Sequence, residues 1–330
     1  MHSRFIGELE VSSIGLGCMS FSMGYGPADD TTSALLLHKA LDVGYRMLDT
    51  ASMYGMGHNE TLIGQAIKKR RHEYVLASKC GIIKTNEGKT EINGTPEMVR
   101  KTCEESLRRL QTDVIDLYYY HRLDKRIPVE ETVGALSDLV DAGKVRFIGL
   151  SEMSTETLCR AHAVHPIAAM QSEYSLWSRT PERGMLETCR KLGTSLVAFS
   201  PLARAFLAGA AKDVTQLLDD DIRCTNARPR FEVDAFAENA KLLVPYAEIA
   251  RKNSCSMAQL ALAWLLAQGD HIIPIPGTKH IEYMLENVAA GDLELDKSTL
   301  NDLDNLINET TVIGRRYTDA IMASTDAERD

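Results

Sequence analysis

Eight short apolar or β-branched runs, each separated from the next by an amphipathic stretch, constrain this chain more than any other feature. They fall at Ile14–Met19, Tyr45–Leu48, Tyr74–Ser78, Val114–Tyr120, Val145–Leu150, Ile167–Met170, Ser195–Phe199 and Ile272–Ile275. Such alternation implies parallel strands, because parallel neighbours need a crossover and an amphipathic helix supplies one. From Glu97 to Leu110 the apolar side (Met98, Val99, Thr102, Cys103, Ser106, Leu107, Leu110) keeps a 3.6-residue rhythm. Thr95 suits its N-cap and Pro96 its first position. Val129, Val133, Leu136, Leu139 and Val140 repeat the rhythm one unit later. Gly44, Gly143 and Gly193 each follow a helical stretch just before a strand, where glycine accepts the left-handed conformation that stops a helix.

Polar residues close these runs at regular intervals. Asp49 to Lys79 spans 30 residues, His121 to Ser151 another 30, and Gln171 to Ser200 spans 29. The 76 residues from Ser200 to Pro276 carry an insertion, with an Arg- and Asp-rich stretch at 219–230 and two further helical segments. An open doubly wound sheet also alternates β and α. Its G-x-G-x-x-G loop is missing, since Gly15-Leu16-Gly17-Cys18-Met19-Ser20 lacks the third glycine. The expected fold is therefore α/β: a single (β/α)8 TIM barrel with extra helical segments in the connection after strand 7. Its 330 residues read as one domain, with residues 1–13 as an N-terminal cover and about 317–330 as a polar, poorly ordered tail.

Composition narrows the class of function. A net charge of −9, from 46 acidic and 37 basic side chains, disfavours nucleic acid as a partner. Seven scattered cysteines without a C-x-x-C pair fit reduced thiols, not a disulfide framework or a zinc site. No signal-peptide pattern opens the chain, and the longest apolar stretch, Met257 to Ala267, is too short to span a bilayer. These features give a soluble, cytoplasmic protein with no membrane partner and no metal, its oligomeric state left open.

In a β/α barrel the C-terminal strand ends form the active site. Asp49, Lys79, His121, Ser151, Gln171 and Ser200 stand there, with Tyr54 on the loop after Asp49. Taken singly, each has a plain structural reading: a turn cap, a solvated lysine, a satisfied core histidine. Together they form a chemical set. A phenol is too weak an acid to donate readily at neutral pH, an ammonium beside it favours the phenolate, and a carboxylate holds the ammonium. Tyr54, Lys79 and Asp49 supply these parts, and His121 a hydrogen bond to a carbonyl oxygen.

With these residues in place, the chain resembles the aldo-keto reductases, of the subgroup acting on varied aldehydes and ketones, from about Gly15 to Asn287. Asp49, Tyr54, Lys79 and His121 fall on that family's catalytic tetrad. Further matches are Gly149-Leu150-Ser151-Glu152, Gln171-Ser172-Glu173-Tyr174-Ser175, Phe199-Ser200-Pro201-Leu202, and Ile275-Pro276-Gly277-Thr278-Lys279 with Glu286-Asn287. The resemblance implies reduction of a small carbonyl compound by NAD(P)H, with Tyr54 as proton donor and the cofactor extended across the mouth. It places Ser151 and Gln171 on the carboxamide, Phe199 against the nicotinamide, and Ser200, Pro201, Leu202 and Arg204 along the pyrophosphate. Cys18 and Met19, Gly277 and Thr278, Lys279 (adenosine phosphate), and Glu286 and Asn287 (adenine) complete the implied cofactor site.

Relatives commonly carry glycine where this chain has Ala203 and Ala205, and many have tyrosine at Phe199. After Lys279 many are more positive, whereas this chain has Glu282; NADPH is favoured over NADH, less firmly for that reason. Met19, Met23, Tyr25, Met53, Trp177 and His121 are candidate walls of the substrate pocket. The competing reading is a cofactor-binding regulatory or redox-sensing subunit with little turnover. A Schiff-base enzyme using Lys79 is disfavoured, because Asp49 keeps that amine charged.

Overall fold

The computed structural model describes residues 1–327 apart from Asn86 and Lys212. Its strands are β1 (Ser3–Ile6), β2 (Leu9–Ser12), β3 (Leu16–Gly17), β4 (Met47–Asp49), β5 (Val75–Cys80), β6 (Ile82–Lys84), β7 (Thr90–Ile92), β8 (Ile115–Tyr120), β9 (Val145–Ser151), β10 (Ile167–Glu173), β11 (Ser195–Phe199) and β12 (Ile272–Pro274). Eight of them form one parallel sheet in the order β3-β4-β5-β8-β9-β10-β11-β12. The ends of this sheet meet. Gly15 N donates to Pro274 O at 2.9 Å, Gly17 N to Pro276 O at 3.2 Å, and Gly17 bridges Gly277 in parallel. Closure demands the glycine, because a Cβ on Gly17 would stand 2.8 Å from Ile275 O.

The sheet is therefore a (β/α)8 barrel, as the alternation of runs implied. Helices Asp30–Asp42, His58–Ile67, Pro96–Leu110, Val129–Asp141, Thr155–Val164 and Met185–Leu192 make the first six crossovers, and Met257–Ala267 and Ile281–Ala289 flank β12. Thr95 caps its helix, its Oγ1 accepting from Met98 N at 3.3 Å. Gly44, Gly143 and Gly193 take φ of 98°, 71° and 69°, the left-handed stops that their positions required.

Side chains alternate across a strand, so one parity faces the barrel axis. Met47, Val75, Ala77, Leu117, Tyr119, Ala169, Val197 and Ile273 fill the interior, and the hairpin of β1 and β2 adds Ile6, Leu9 and Val11. That hairpin closes the N-terminal end of the strands: Arg4 donates to Leu266 O at 2.7 Å and Gly269 O at 2.8 Å, and Ser195 Oγ donates to Phe5 O at 2.8 Å.

The structure departs from the sequence reading in three places. The loop after β5 holds an antiparallel hairpin, β6 with β7, which has too few apolar residues to announce itself. The connection after β11 contains helices Arg228–Phe231, Val233–Ala240 and Leu243–Lys252 before Met257–Ala267, more segments than two. The expectation of a loose tail fails over its described part. Tyr317 is buried, Asp319–Ser324 is helical, and Asp326 is 1% exposed. Asp326 Oδ2 accepts from Ser154 N at 3.0 Å, Ser154 Oγ at 2.9 Å and Thr157 Oγ1 at 2.6 Å, so a polar residue anchors the segment by capping a helix start. Residues 328–330 of that tail lie outside the described residues. Among the described residues no helix is long and apolar enough to cross a membrane.

Candidate active site

The parity that fills the barrel also builds its mouth. One step beyond the interior positions, at the C-terminal strand ends, the next inward residues are Asp49, Lys79, His121, Ser151, Gln171 and Phe199. Alternation alone therefore aims six side chains at one space. Lys79, fully buried, donates from Nζ to Asp49 Oδ1, to Thr50 O at 2.7 Å and to Tyr54 OH at 3.5 Å. Tyr54 enters from the turn after β4, and the His121 ring meets it edge-on with centroids 6.1 Å apart. Gln171 Nε2 donates to Asp49 Oδ2 at 2.8 Å, so both oxygens of that carboxylate are held. The Tyr119 ring lies below, its centroid 5.7 Å from Lys79 Nζ, and a glycine at 149 makes room for it.

Burial of the site sets its protonation. Desolvation opposes the charge on Lys79, but Asp49 and the Tyr54 oxygen outweigh it and raise the pKa. Lys79 is thus a buried, permanent cation. Burial, reinforced by Arg122 and Lys79, pushes His121 well below the ordinary histidine value, so the ring is neutral and one nitrogen can donate. For Tyr54 the sequence argument needs correction. Lys79 does pull the phenol pKa down, but burial pushes it up by more, and the net direction is upward. The hydroxyl therefore keeps its proton at neutral pH until a stronger base, such as an alkoxide, forms against it.

The residues expected around a cofactor fall into two groups. Ser151 and Gln171 are paired across β9 and β10, both buried, with their side chains beside the tetrad. Phe199, at the end of β11, is half-buried, as are Ser200 and Leu202 in the turn that follows, where Pro201 is buried. Thr278 is buried next to exposed Gly277, and Lys279 Nζ donates to Tyr25 O at 2.8 Å and Pro27 O at 2.7 Å. Asn287 is buried and Glu286 half-buried on helix Ile281–Ala289, where an exposed face was the plainer expectation. Met19 is half-buried. Cys18 is wholly buried, with its Sγ turned back to Leu16 O at 3.6 Å, its N–H bonded to Asp49 O and its carbonyl accepting from Asn59 Nδ2.

Two expected residues are placed otherwise. Arg204 does not lie open along a pyrophosphate path: it is 3% exposed and its guanidinium forks onto Glu173, with contacts of 3.0 and 2.6 Å. A charged pair excluded from water is held this way because either partner alone would be costly. Trp177 is 2% exposed. It is stacked on Phe206 at 4.1 Å and edge-on to Phe231, with Arg230 across its face at 5.2 Å. Met19, Met23, Tyr25 and Met53 are half-buried on the loops after β3 and β4.

Sequence reasoning passed over Arg122, directly after His121, and Asn59, whose Oδ1 accepts from Thr50 Oγ1 at 2.6 Å behind the tetrad. The dipeptide His121-Arg122 was visible, but an arginine after a strand reads first as solvated. Among the described residues no group of three His, Cys, Asp or Glu side chains is arranged to hold a metal.

Two of the buried polar atoms that lack a partner lie at the expected cofactor site. Asn287 Oδ1 and Ser20 Oγ have no hydrogen-bond partner among the described residues, and buried polar atoms seldom stay unpaired. Asn287 stands at the position assigned to adenine, and Ser20 Oγ lies 3.8 Å from the Cβ position of Gly277. Asn287 Oδ1 accepts and Ser20 Oγ donates or accepts, chemistry that suits the polar body of a nucleotide.

Comparison with known proteins gives a consistent result. The family model described as "Aldo/keto reductase family" matches residues 13–308. An aldo-keto reductase, yakc [NADP(+)], of Schizosaccharomyces pombe is 41% identical over 321 residues, covering 96% of this chain and 94% of that protein. Among solved structures, the glycerol dehydrogenase AKR11B4 from Gluconobacter oxydans aligns with a TM-score of 0.85 at 28% identity, over 92% of this chain and 94% of that one. An aldo/keto reductase from Klebsiella pneumoniae, in complex with NADP and acetate, aligns with a TM-score of 0.73 at 30% identity, over 95% and 97%.

Proposed function

The chain belongs to the aldo/keto reductase family and is an NAD(P)H-dependent oxidoreductase of carbonyl compounds; on that premise we propose the roles of its residues and the identity of its cofactor. Tyr54 is the proton donor. The observation that carries this is the hydroxyl's position, 3.5 Å from a buried ammonium that Asp49 and Thr50 fix from behind.

When bound, the nicotinamide cofactor supplies the hydride that reduces the carbonyl carbon. His121, neutral and rigid at the end of β8, donates a hydrogen bond to the carbonyl oxygen and sets its direction towards Tyr54. As negative charge grows on that oxygen, Tyr54 releases its proton, and Lys79 stabilises the phenolate left behind. Asp49 keeps Lys79 charged and in place. Ser151 and Gln171 hold the carboxamide, and Phe199 packs on the ring. The orphaned oxygens of Ser20 and Asn287 then gain partners in the body of the cofactor.

NADPH is preferred over NADH, on the strength of Lys279 after β12 and of relatives named for NADP. Arg204 is held at this site by Glu173, with its Nε left without a partner among the described residues beside the expected pyrophosphate path. The whole chain acts as one barrel domain, with residues 1–13 as its cover. All seven cysteines are free, which suits a reducing compartment such as the cytoplasm.

Single-turnover oxidation of bound NADPH against a panel of reactive aldehydes tests the reading. Tyr54→Phe should lower the rate about 10²–10⁴-fold and leave NADPH binding, followed by fluorescence titration, unchanged. Retained turnover in Tyr54→Phe removes the assigned role. A wild-type protein that binds NADPH and reduces no aldehyde is a regulatory subunit instead.

A further inference from the structure

Directly after the histidine of the tetrad stands a cation that the steps above do not use. Arg122 Nη1 donates to its neighbour's carbonyl, His121 O, at 2.6 Å and to Ser151 Oγ at 3.1 Å. One half-buried guanidinium therefore ties the C-terminal end of β8 to that of β9, the two strands carrying the group that orients the carbonyl and the group that holds the carboxamide.

We infer that Arg122 is a positioning residue for this reaction, fixing His121 and Ser151 relative to each other and placing a permanent positive charge beside Tyr54. The inference rests on the roles just given to Tyr54, His121 and Ser151. Its first support is hydrogen-bond valence. A serine hydroxyl has one proton and two lone pairs, so once Ser151 Oγ accepts from a guanidinium its proton is directed elsewhere, towards an acceptor in the mouth. The second is the donor itself: arginine stays charged, and its long planar head carries Nη1 to both acceptors at once, a reach and orientation that an ammonium does not reproduce. The third is the electrostatic surroundings. The charged groups facing Tyr54 are Lys79, Asp49 and Arg122, and those facing His121 are Arg122 and Lys79. Against the burial of Tyr54, Arg122 works with Lys79 to favour the phenolate, and beside His121 it works with burial to keep the ring uncharged.

The test separates charge from geometry by following kcat and KM against pH for NADPH-dependent reduction of 4-nitrobenzaldehyde. Arg122→Met should lower kcat about 10–100-fold, the scale of a misplaced reacting group. It should also move both limbs of the kcat–pH profile upward. The basic limb moves because the Tyr54 phenolate loses a stabilising charge, and the acidic limb because His121 protonates more readily. Arg122→Lys should restore both limbs, since the charge returns, while KM for NADPH stays raised because the ammonium does not reproduce the guanidinium's bond to Ser151. Ser151→Ala should raise KM for NADPH and leave the limbs where wild type has them. Should the methionine variant not fold, Arg122→Gln gives the same readout. Wild-type limbs in a folded Arg122→Met protein overturn the inference, even if kcat falls, because a purely structural arginine has that signature. Full turnover in Tyr54→Phe is a different failure, and it removes the assignment of the proton donor first.

Discussion

The molecule buries two acid–base clusters with a tyrosine in each, and their chemistry differs completely. At the mouth, Lys79 is paired to Asp49 and turns a third N–H towards the Tyr54 hydroxyl. Beside it, Glu173 is forked by Arg204 and approached by Arg316 at 3.6 Å, while Arg316 also binds Glu152 at 2.5 Å. Tyr317 lies among them with the two guanidinium carbons 5.2 and 4.7 Å from its ring centre. Its pKa is pushed up by burial and by Glu173, against the pull of the arginines. The difference is where the cation points. An ammonium aimed at a phenol oxygen readies it for proton transfer, whereas a guanidinium flat on a phenol ring fixes the ring and leaves the oxygen inert. The second cluster joins the ends of β9 and β10, the chain after β11 and the C-terminal segment, so it serves the site by holding its surroundings still.

Removing one ion from each cluster separates the roles. Lys79→Met leaves Asp49 without its cation, and Glu173→Gln leaves Arg204 without its anion. Each should cost about 3–5 kcal/mol of stability, read by urea unfolding, because a buried charge loses its partner. Turnover per folded molecule should diverge: Lys79→Met loses about 10²–10⁴-fold, while Glu173→Gln keeps most of its activity. Equal losses of turnover would erase the distinction between the clusters.

The two clusters also differ in how far sequence foretells them. Asp49, Lys79, His121, Ser151 and Gln171 were found because each ends an apolar run, and strand alternation then turns all five to one side. Tyr54 followed from the loop. Nothing comparable announces Glu173 with Arg204, 31 positions apart, or Arg316 with Glu152, 164 apart. Charged residues in loops read as solvated until the fold brings an opposite charge to them. The burial of Trp177 is unannounced for a related reason, since the aromatic partners that bury it, Phe206 and Phe231, come from the insertion after β11. Tyr54 stands beside Lys79, where the loop after Asp49 brings it, but its net pKa direction depends on burial, which spacing does not reveal.

Opposite ends of the pH scale should unmake the two clusters. Glu173 is the clearer case. Burial resists its charge, yet Arg204, and Arg316 after it, hold its pKa down at about 2, against an ordinary 4.5. A carboxylate depressed in the folded state contributes stability that is present above pH 4.5 and lost as pH falls towards 2. The shift corresponds to about 3 kcal/mol. Thermal unfolding between pH 6 and 3 should therefore show a steeper acid loss in wild type than in Glu173→Gln. Lys79 has the reverse sign. Its raised pKa contributes stability that is present below 10.5 and lost only as pH climbs through the folded value, so it adds nothing to the acid slope. Parallel acid slopes in wild type and Glu173→Gln would mean that Glu173 is not the titrating group.

The smallest expected effect concerns the backbone that carries Arg204 to Glu173. Ala203, Arg204 and Ala205 take φ of 49°, 55° and 73°, three left-handed residues in succession, and Ser200 precedes them at 49°. L-residues pay about 1–2 kcal/mol for that conformation and glycine pays almost nothing, which explains why relatives place glycine at the two alanine positions. Glycine is also freer in the unfolded chain, and that offsets about 0.4–1 kcal/mol of the relief. Ala203→Gly and Ala205→Gly should each stabilise by about 0.5–1 kcal/mol and raise Tm by about 1–3 °C. The Arg204–Glu173 pair helps to hold this turn in its left-handed form, alongside local backbone bonds such as Ala203 N to Ser200 O at 2.9 Å. The gain should therefore be smaller in a Glu173→Gln background, where the turn can relax and less strain remains to relieve. Equal gains in both backgrounds would show that the turn is set without the buried pair, and the second cluster would then be a consequence of the loop's shape and not its cause.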